Sequence, residues 1–129
     1  MNEPVWVLDA VVLIAHEISL ANFGGSDGIR DISLLESALA RPKNLFAYGE
    51  LSLSELAAAC TFGIVGNYPF VDGNKRTGFL AGATFLEING FSLTATEPAA
   101  TRIIVGVASG EVNEEELARW FAENSAPTP

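Results

Sequence analysis

Residues 67 to 77 read Asn67-Tyr68-Pro69-Phe70-Val71-Asp72-Gly73-Asn74-Lys75-Arg76-Thr77, and a long apolar run lies on each side. This stretch sets what the rest of the chain can become. Pro69 and Gly73 interrupt regular structure, so the stretch is a loop. The run before it and the run after it both have helical spacing. A tight loop that opens into a helix presents unpaired backbone N–H groups and the positive end of the helix dipole, a setting suited to phosphate. Asp72 could hold a divalent cation, and Asn74, Lys75 and Arg76 could hold phosphate oxygens.

The flanking runs predict helices. Val5 to about Ala21 forms the first, mostly buried, with Val5, Leu8, Val12 and Ala15 on one face and Val7, Val11, Ile14 and Ile18 widening it. It carries His16, the single histidine, which is expected to be a hydrogen-bonded structural residue. A glycine-containing loop follows. Asp31 is a plausible N-cap for a second helix from Ile32 to about Arg41, with Pro42 as its stop. Lys43 to Leu51 is either an extended flap near the site or a loop with aromatic anchors. Ser52 and Glu55 have capping-box spacing and open a third helix to about Gly66. The fourth runs from about Asn74 to Asn89 and ends at Gly90. Phe91 to Ala95 is a short extended link. A fifth helix runs from Thr96-Glu97-Pro98 to about Ser109, and a sixth starts at Asn113 with Leu117, Trp120 and Phe121 inward. Residues 126–129 read as a disordered tail. The prediction is an all-α fold, a compact bundle of about six helices over residues 1–125, with the motif loop between two central ones.

Bulk properties narrow the function classes. At 129 residues the chain suffices for one domain with a sizeable core. Hydrophobic content is 49%, yet no apolar run approaches the roughly 20 residues of a membrane span. Met1-Asn2-Glu3-Pro4 lacks a cation, so no secretory signal is expected. The lone cysteine, Cys60, permits no disulfide within the chain and is read as a buried thiol, which fits a reducing cytoplasm. A net charge of −9 argues against direct nucleic-acid binding through a basic face. Two of the seven cations are adjacent in the motif. They suit an anionic ligand or pair with nearby acids, and charge alone leaves both open.

Tyr68-Pro69-Phe70-Val71-Asp72-Gly73-Asn74-Lys75-Arg76 resembles the core motif of the Fic/Doc superfamily, in which a histidine precedes x-Phe-x-Asp/Glu-Gly/Ala-Asn-x-Arg. The similarity extends to Phe23-Gly24-Gly25 through Ile29-Arg30-Asp31, to Leu35 through Pro42, and to Phe85 through Gly90. Lys75 and Phe79 stand where the AMP-transferring Fic branch has Gly and Arg, so the chain looks closer to the Doc branch of toxin–antitoxin toxins. That resemblance implies a fold of the Fic/Doc type and a cytoplasmic protein kinase that moves the γ-phosphate of ATP to a threonine of elongation factor Tu and arrests translation. It implies Mg²⁺ at Asp72, with Gly73, Asn74, Lys75, Arg76 and Thr77 around the phosphates, though capping suits Thr77 better. It also implies a prevent-host-death-type antitoxin as partner. The alternatives are an AMP-transferring Fic enzyme and a non-catalytic antitoxin- or nucleotide-binding module.

One residue departs from the pattern. The family histidine, a general base, falls on Tyr68. A phenol titrates near 10 and an imidazole near 6.5, so Tyr68 is a poor proton acceptor at neutral pH. The chain is therefore read as a catalytically impaired His-to-Tyr form, engineered or selected for tolerance by its host. A natural binding module and an enzyme that works without the base are the other readings.

Overall fold

The computed structural model describes residues 2–49 and 51–129. Its elements, in order, are α1 (Asp9–Phe23), α2 (Ile32–Tyr48), α3 (Leu53–Asn67), α4 (Asn74–Ile88), β1 (Phe91–Leu93), α5 (Glu97–Ser109), α6 (Glu114–Glu123) and β2 (Ser125–Pro127). The expected all-α class and six helices are borne out. Helix α3 is the centre, packed against α2, α4 and α6. Residues Leu56 to Thr61 are buried without interruption, so α3 is covered on all sides. Its capping box forms as the sequence predicts: Ser52 accepts from the Glu55 N–H and Glu55 returns a bond to the Ser52 N–H.

Small residues set how closely the helices approach. A Cβ on Gly82 of α4 would clash with the Thr61 hydroxyl and lie 2.9 Å from the Ala57 carbonyl oxygen on α3. The Thr61 hydroxyl instead donates to the Gly78 carbonyl at 2.8 Å, which ties the two helices at their crossing. Because α3 and α4 meet this closely, the loop between them is held at both ends.

Helix α2 continues through Pro42 to Tyr48, against the expected stop at Pro42 and the expected flap or loop after Lys43. Proline removes the N–H that would bond the Ala38 carbonyl. That carbonyl oxygen lies 2.9 Å from where a Cβ on Gly63 would sit, so α3 closes over it with a glycine. Burial of Leu35, Ala38, Leu39 and Pro42 keeps the helix intact across the missing bond. Arg41, now within the helix, makes a two-pronged pair with Glu114 of α6 at 2.7 and 2.9 Å. Phe46 meets the Trp6 ring edge-on, and Tyr48 is fully exposed rather than an anchor.

Helix α1 corrects a second expectation. It starts at Asp9, and only Val12, His16 and Ser19 are buried on it. Val5, Leu8, Val11, Ile14 and Ile18 face outward. The helix rests chiefly on α4 through one narrow stripe, and hydrophobic spacing alone does not say which of two apolar faces is covered. The third correction is the tail. Ala126 and Pro127 belong to β2, which pairs antiparallel with β1 in the register Phe91↔Pro127 and Leu93↔Ser125. The extended link after Gly90 thus finds a backbone partner that no local signal specifies. Cys60 is buried, and burial pushes its thiol up to about 12, so it is inert. Among the described residues no helix is long and apolar enough to cross a membrane.

Candidate functional site

The motif loop begins where α3 ends. Tyr68 takes the left-handed conformation, φ 52 and ψ 55, and is the only non-glycine residue with positive φ among those described. Its N–H closes the helix on the Ile64 carbonyl at 3.1 Å. The carbonyls left over at the end of α3 go to one side chain: Arg30 donates from Nε to the Tyr68 carbonyl at 2.7 Å and from Nη2 to the Asn67 carbonyl at 2.8 Å. A cation suits this position, since a helix C-terminus carries partial negative charge. Asn67 also donates to the Leu34 carbonyl at 3.0 Å. The left-handed region tolerates Asn and His better than a bulky ring and is worst for β-branched residues. We therefore expect Tm to fall in the order Tyr68→Asn, wild type, Tyr68→Val, with the first step worth no more than about 1 kcal/mol. Thermal melts of the three proteins check this, and Val melting above Asn would contradict it.

The middle of the loop is tied down in three ways. The Pro69 carbonyl accepts from the Arg30 and Asp31 N–H groups, and the Val71 N–H donates to the Gly28 carbonyl. Phe70 is buried and stacks on the His16 ring, 3.8 Å between centroids, as an inward anchor. The Asn74 carboxamide spans the loop, accepting from the Phe70 N–H and donating to the Phe70 carbonyl, both at 3.0 Å. Asn74 is thus occupied in shaping the loop, a different task from the phosphate contact the resemblance implies. His16 is structural, as its setting on an apolar helix predicts, and it acts under the site: its Nε2–H donates to the Asp72 carbonyl at 2.8 Å.

The far end of the loop carries the charge. Asp72 is exposed; its carboxylate accepts from the Ser26 N–H at 3.1 Å and the Gly73 N–H at 2.8 Å. These two bonds, Ser26 first, hold its carboxyl below the ordinary aspartate value, so it is ionised at neutral pH. A Cβ on Gly25 would lie 3.0 Å from Asp72 Oδ2, so the glycine lets the 24–28 segment close on the carboxylate. Gly73, at φ 80, is the N-cap of α4 and supplies no side-chain cap. The first N–H groups of α4 are consequently left open beside Asp72.

Lys75 is exposed, and the Arg76 guanidinium lies 3.7 Å above the centroid of the Phe23 ring. Among the described residues neither has an acidic partner within 4.0 Å. Thr77 is fully buried, its hydroxyl has no partner among the described residues, and the cap position expected of it falls to Gly73. Tyr68, Asp72, Gly73, Lys75 and Arg76 share the wall of one cleft of about 440 Å³, with Phe23 and Ser19 of α1 opposite. Among the described residues no three His, Cys, Asp or Glu side chains could hold a metal together. One exposed, ionised carboxylate beside open helix N–H groups is compatible with Mg²⁺, which takes one or two carboxylates and completes its shell with phosphates and water.

Sequence spacing missed Arg30 and Ser26, which reach the motif from 37 and 46 residues away, and Phe23, which lies under Arg76. The glycines of that segment were the available signal, because Gly24, Gly25 and Gly28 all have positive φ.

The comparisons with known proteins agree with the motif. A family model described as "Fic/DOC family" matches residues 7–86, more than half of the chain. A curated protein named "Toxin Doc", from Mycolicibacterium smegmatis, is 45% identical over 87 residues. The aligned stretch covers 65% of this chain and 64% of that protein's length.

Proposed function

The chain belongs to the Fic/DOC family, and from that premise we propose that it is a toxin of a toxin–antitoxin system, built as a Doc-type protein kinase. Its cleft binds ATP with Mg²⁺, and the reaction it is built for moves the γ-phosphate to a threonine of elongation factor Tu, arresting translation. The name of the similar Mycolicibacterium smegmatis protein supports the toxin class and, with it, an antitoxin partner of the prevent-host-death type. The observation that carries the kinase reading is the cleft, where an ionised Asp72, an exposed Lys75 and the start of α4, without a side-chain cap, stand together. Lys75 takes the place that glycine holds in AMP-transferring relatives, which favours phosphoryl transfer over AMP transfer.

Each residue has a part in that reaction. Asp72 carries the cation, which supplies charge neutralisation at the phosphates when bound. Lys75 and the N–H groups of α4 receive the phosphate oxygens, and Arg76, braced on Phe23, faces the developing charge. Asn74, His16 and Arg30 hold the loop so that these donors converge. Tyr68 lacks the proton acceptor that the acceptor hydroxyl needs, so transfer to an external protein is slow in this chain.

The test is label from γ-³²P ATP on elongation factor Tu, comparing the wild type with Tyr68→His. Label on the target from the α-phosphate instead would replace this function with AMP transfer. Binding gives an independent check: Lys75→Ala is expected to weaken ATP affinity about tenfold, the loss of one charge-assisted contact. Calorimetry reads it, and an unchanged affinity would mean that Lys75 is only a solvated surface charge.

A further inference from the structure

We propose that Tyr68 is itself a phosphoryl acceptor, taking the γ-phosphoryl group of the nucleotide bound in its own cleft. This assignment rests on the ATP-binding function proposed above and extends it to a modification site on the chain.

Tyr68 lines the same cleft as Asp72, Lys75 and Arg76. Its side chain is 57% exposed, and among the described residues its hydroxyl has no hydrogen-bond partner. Its backbone, in contrast, is held at both ends, by its own N–H on the Ile64 carbonyl and by Arg30 on its carbonyl. The root of the side chain is fixed while the ring stands free at the cleft.

Reach decides what the phenol does there. A base at position 68 would hydrogen-bond the hydroxyl of the acceptor that attacks the phosphate. The phenolic oxygen of a tyrosine extends farther from Cβ than the Nε2 of a histidine by about 2 Å, most of one hydrogen-bond length. On the same backbone, the Tyr68 hydroxyl therefore extends from the base's position toward the hydroxyl of an incoming acceptor, inside the cleft that Asp72, Lys75 and Arg76 line. The residue that removes the base also crowds the acceptor's place.

The chemistry balances without further reagents. The Tyr68 oxygen forms a bond to the γ-phosphorus while the bond from that phosphorus to the β,γ-bridging oxygen breaks. ADP leaves with the bonding electron pair, and the phenolic proton passes to water, which reaches the exposed ring. A loose phosphoryl-transfer transition state depends on placement and charge stabilisation more than on deprotonating the nucleophile, so the missing base is tolerated for an acceptor already in position. The product carries a charge of about −1.5 to −2 beside Lys75 and Arg76, which holds it in the cleft. The reaction therefore stops at one phosphoryl group per chain.

The experiment incubates wild type, Tyr68→Phe and Tyr68→His with Mg²⁺ and ATP labelled at the γ-phosphate, then locates label by peptide mass spectrometry and ³¹P NMR. The expected result is a phosphotyrosine at Tyr68 in the wild type, at up to one group per chain, and none at position 68 in either variant. The labelling rate per chain should not depend on protein concentration, as for transfer within one molecule. ATP affinity, read by calorimetry, should fall at least tenfold in the modified chain because the cleft is filled. An unlabelled Tyr68 overturns the proposal, as does label there derived from the α-phosphate. The Tyr68→His protein then separates the two failures: if it transfers γ-phosphate to elongation factor Tu, the kinase function stands and only self-modification falls. If it does not, both fall.

Discussion

Tyr68→His is expected to raise γ-phosphate transfer to elongation factor Tu by about 10²–10⁴-fold, the usual contribution of a positioned general base. The expectation depends on the loop keeping its shape when the side chain at position 68 changes. Arg30, Asn74 and His16 hold the loop through backbone groups of Asn67, Tyr68, Phe70 and Asp72, and none of those bonds uses the Tyr68 ring. Histidine is also better tolerated than tyrosine in the left-handed conformation at this position. The substitution therefore restores a base without disturbing the cradle, and it shortens the side chain so that an external hydroxyl can enter. The rate should follow the ionisation of an imidazole, rising as pH passes upward through the ordinary histidine range near 6.5, because the neutral ring is the acceptor. A transfer assay over pH with both proteins reads the effect. A gain below threefold would mean that the base is not what limits this chain.

Phe121→Ala is expected to cost about 3–5 kcal/mol of stability, the range for removing a large buried aromatic. Phe121 is fully buried, stacks on Phe79 with 5.8 Å between centroids, and meets Trp120 edge-on at 5.7 Å. Its ring tip also lies 3.1 Å from the position of a Cβ on Gly82, so it packs onto the glycine at the α3–α4 crossing. Helices α3 and α4 cannot slide to refill the space, because Thr61 and Gly78 are bonded across their interface. The cavity should persist, which puts the cost at the high end of the range. For a domain with total stability of about 5–15 kcal/mol, this is a large share. Urea unfolding measures it, with Phe121→Leu as the control that keeps most of the volume. A loss under 1 kcal/mol for the alanine protein would show that the core collapses onto the site.

How much of this was legible depended on whether the signal was local. The capping boxes at Ser52 and Asn113 formed where their spacing put them, since each cap is a bond between residues three apart. Gly73 reads as a break in regular structure, and with φ 80 it stands immediately before α4. Pro42 was read as a stop because proline breaks a helix in isolation. It does not stop α2, because the carbonyl it leaves unbonded is covered by Gly63 of α3, 25 residues after Ala38 in the sequence. The outward turn of Ile14 and Ile18 and the pairing of Ser125–Pro127 with Phe91–Leu93 also depend on partners distant in the chain. Roles within the motif divide the same way. Asp72 and Lys75 line the cleft, whereas Asn74 is drawn inward by Phe70's backbone and Thr77 is buried, without a partner among the described residues.

By itself the sequence determined the helical class, the number of helices, the loop at 67–77 and the family to which it points. Spacing, capping and turn residues carry that information because each acts within a few residues. Only the tertiary structure decided that Arg30 and Ser26 complete the motif, that His16 supports it from below, and that Tyr68 stands exposed at the mouth of the cleft. Those facts rest on hydrogen bonds between segments 37 to 56 residues apart. Bonds at that separation exist only in the packed fold, because nothing local holds the partners together.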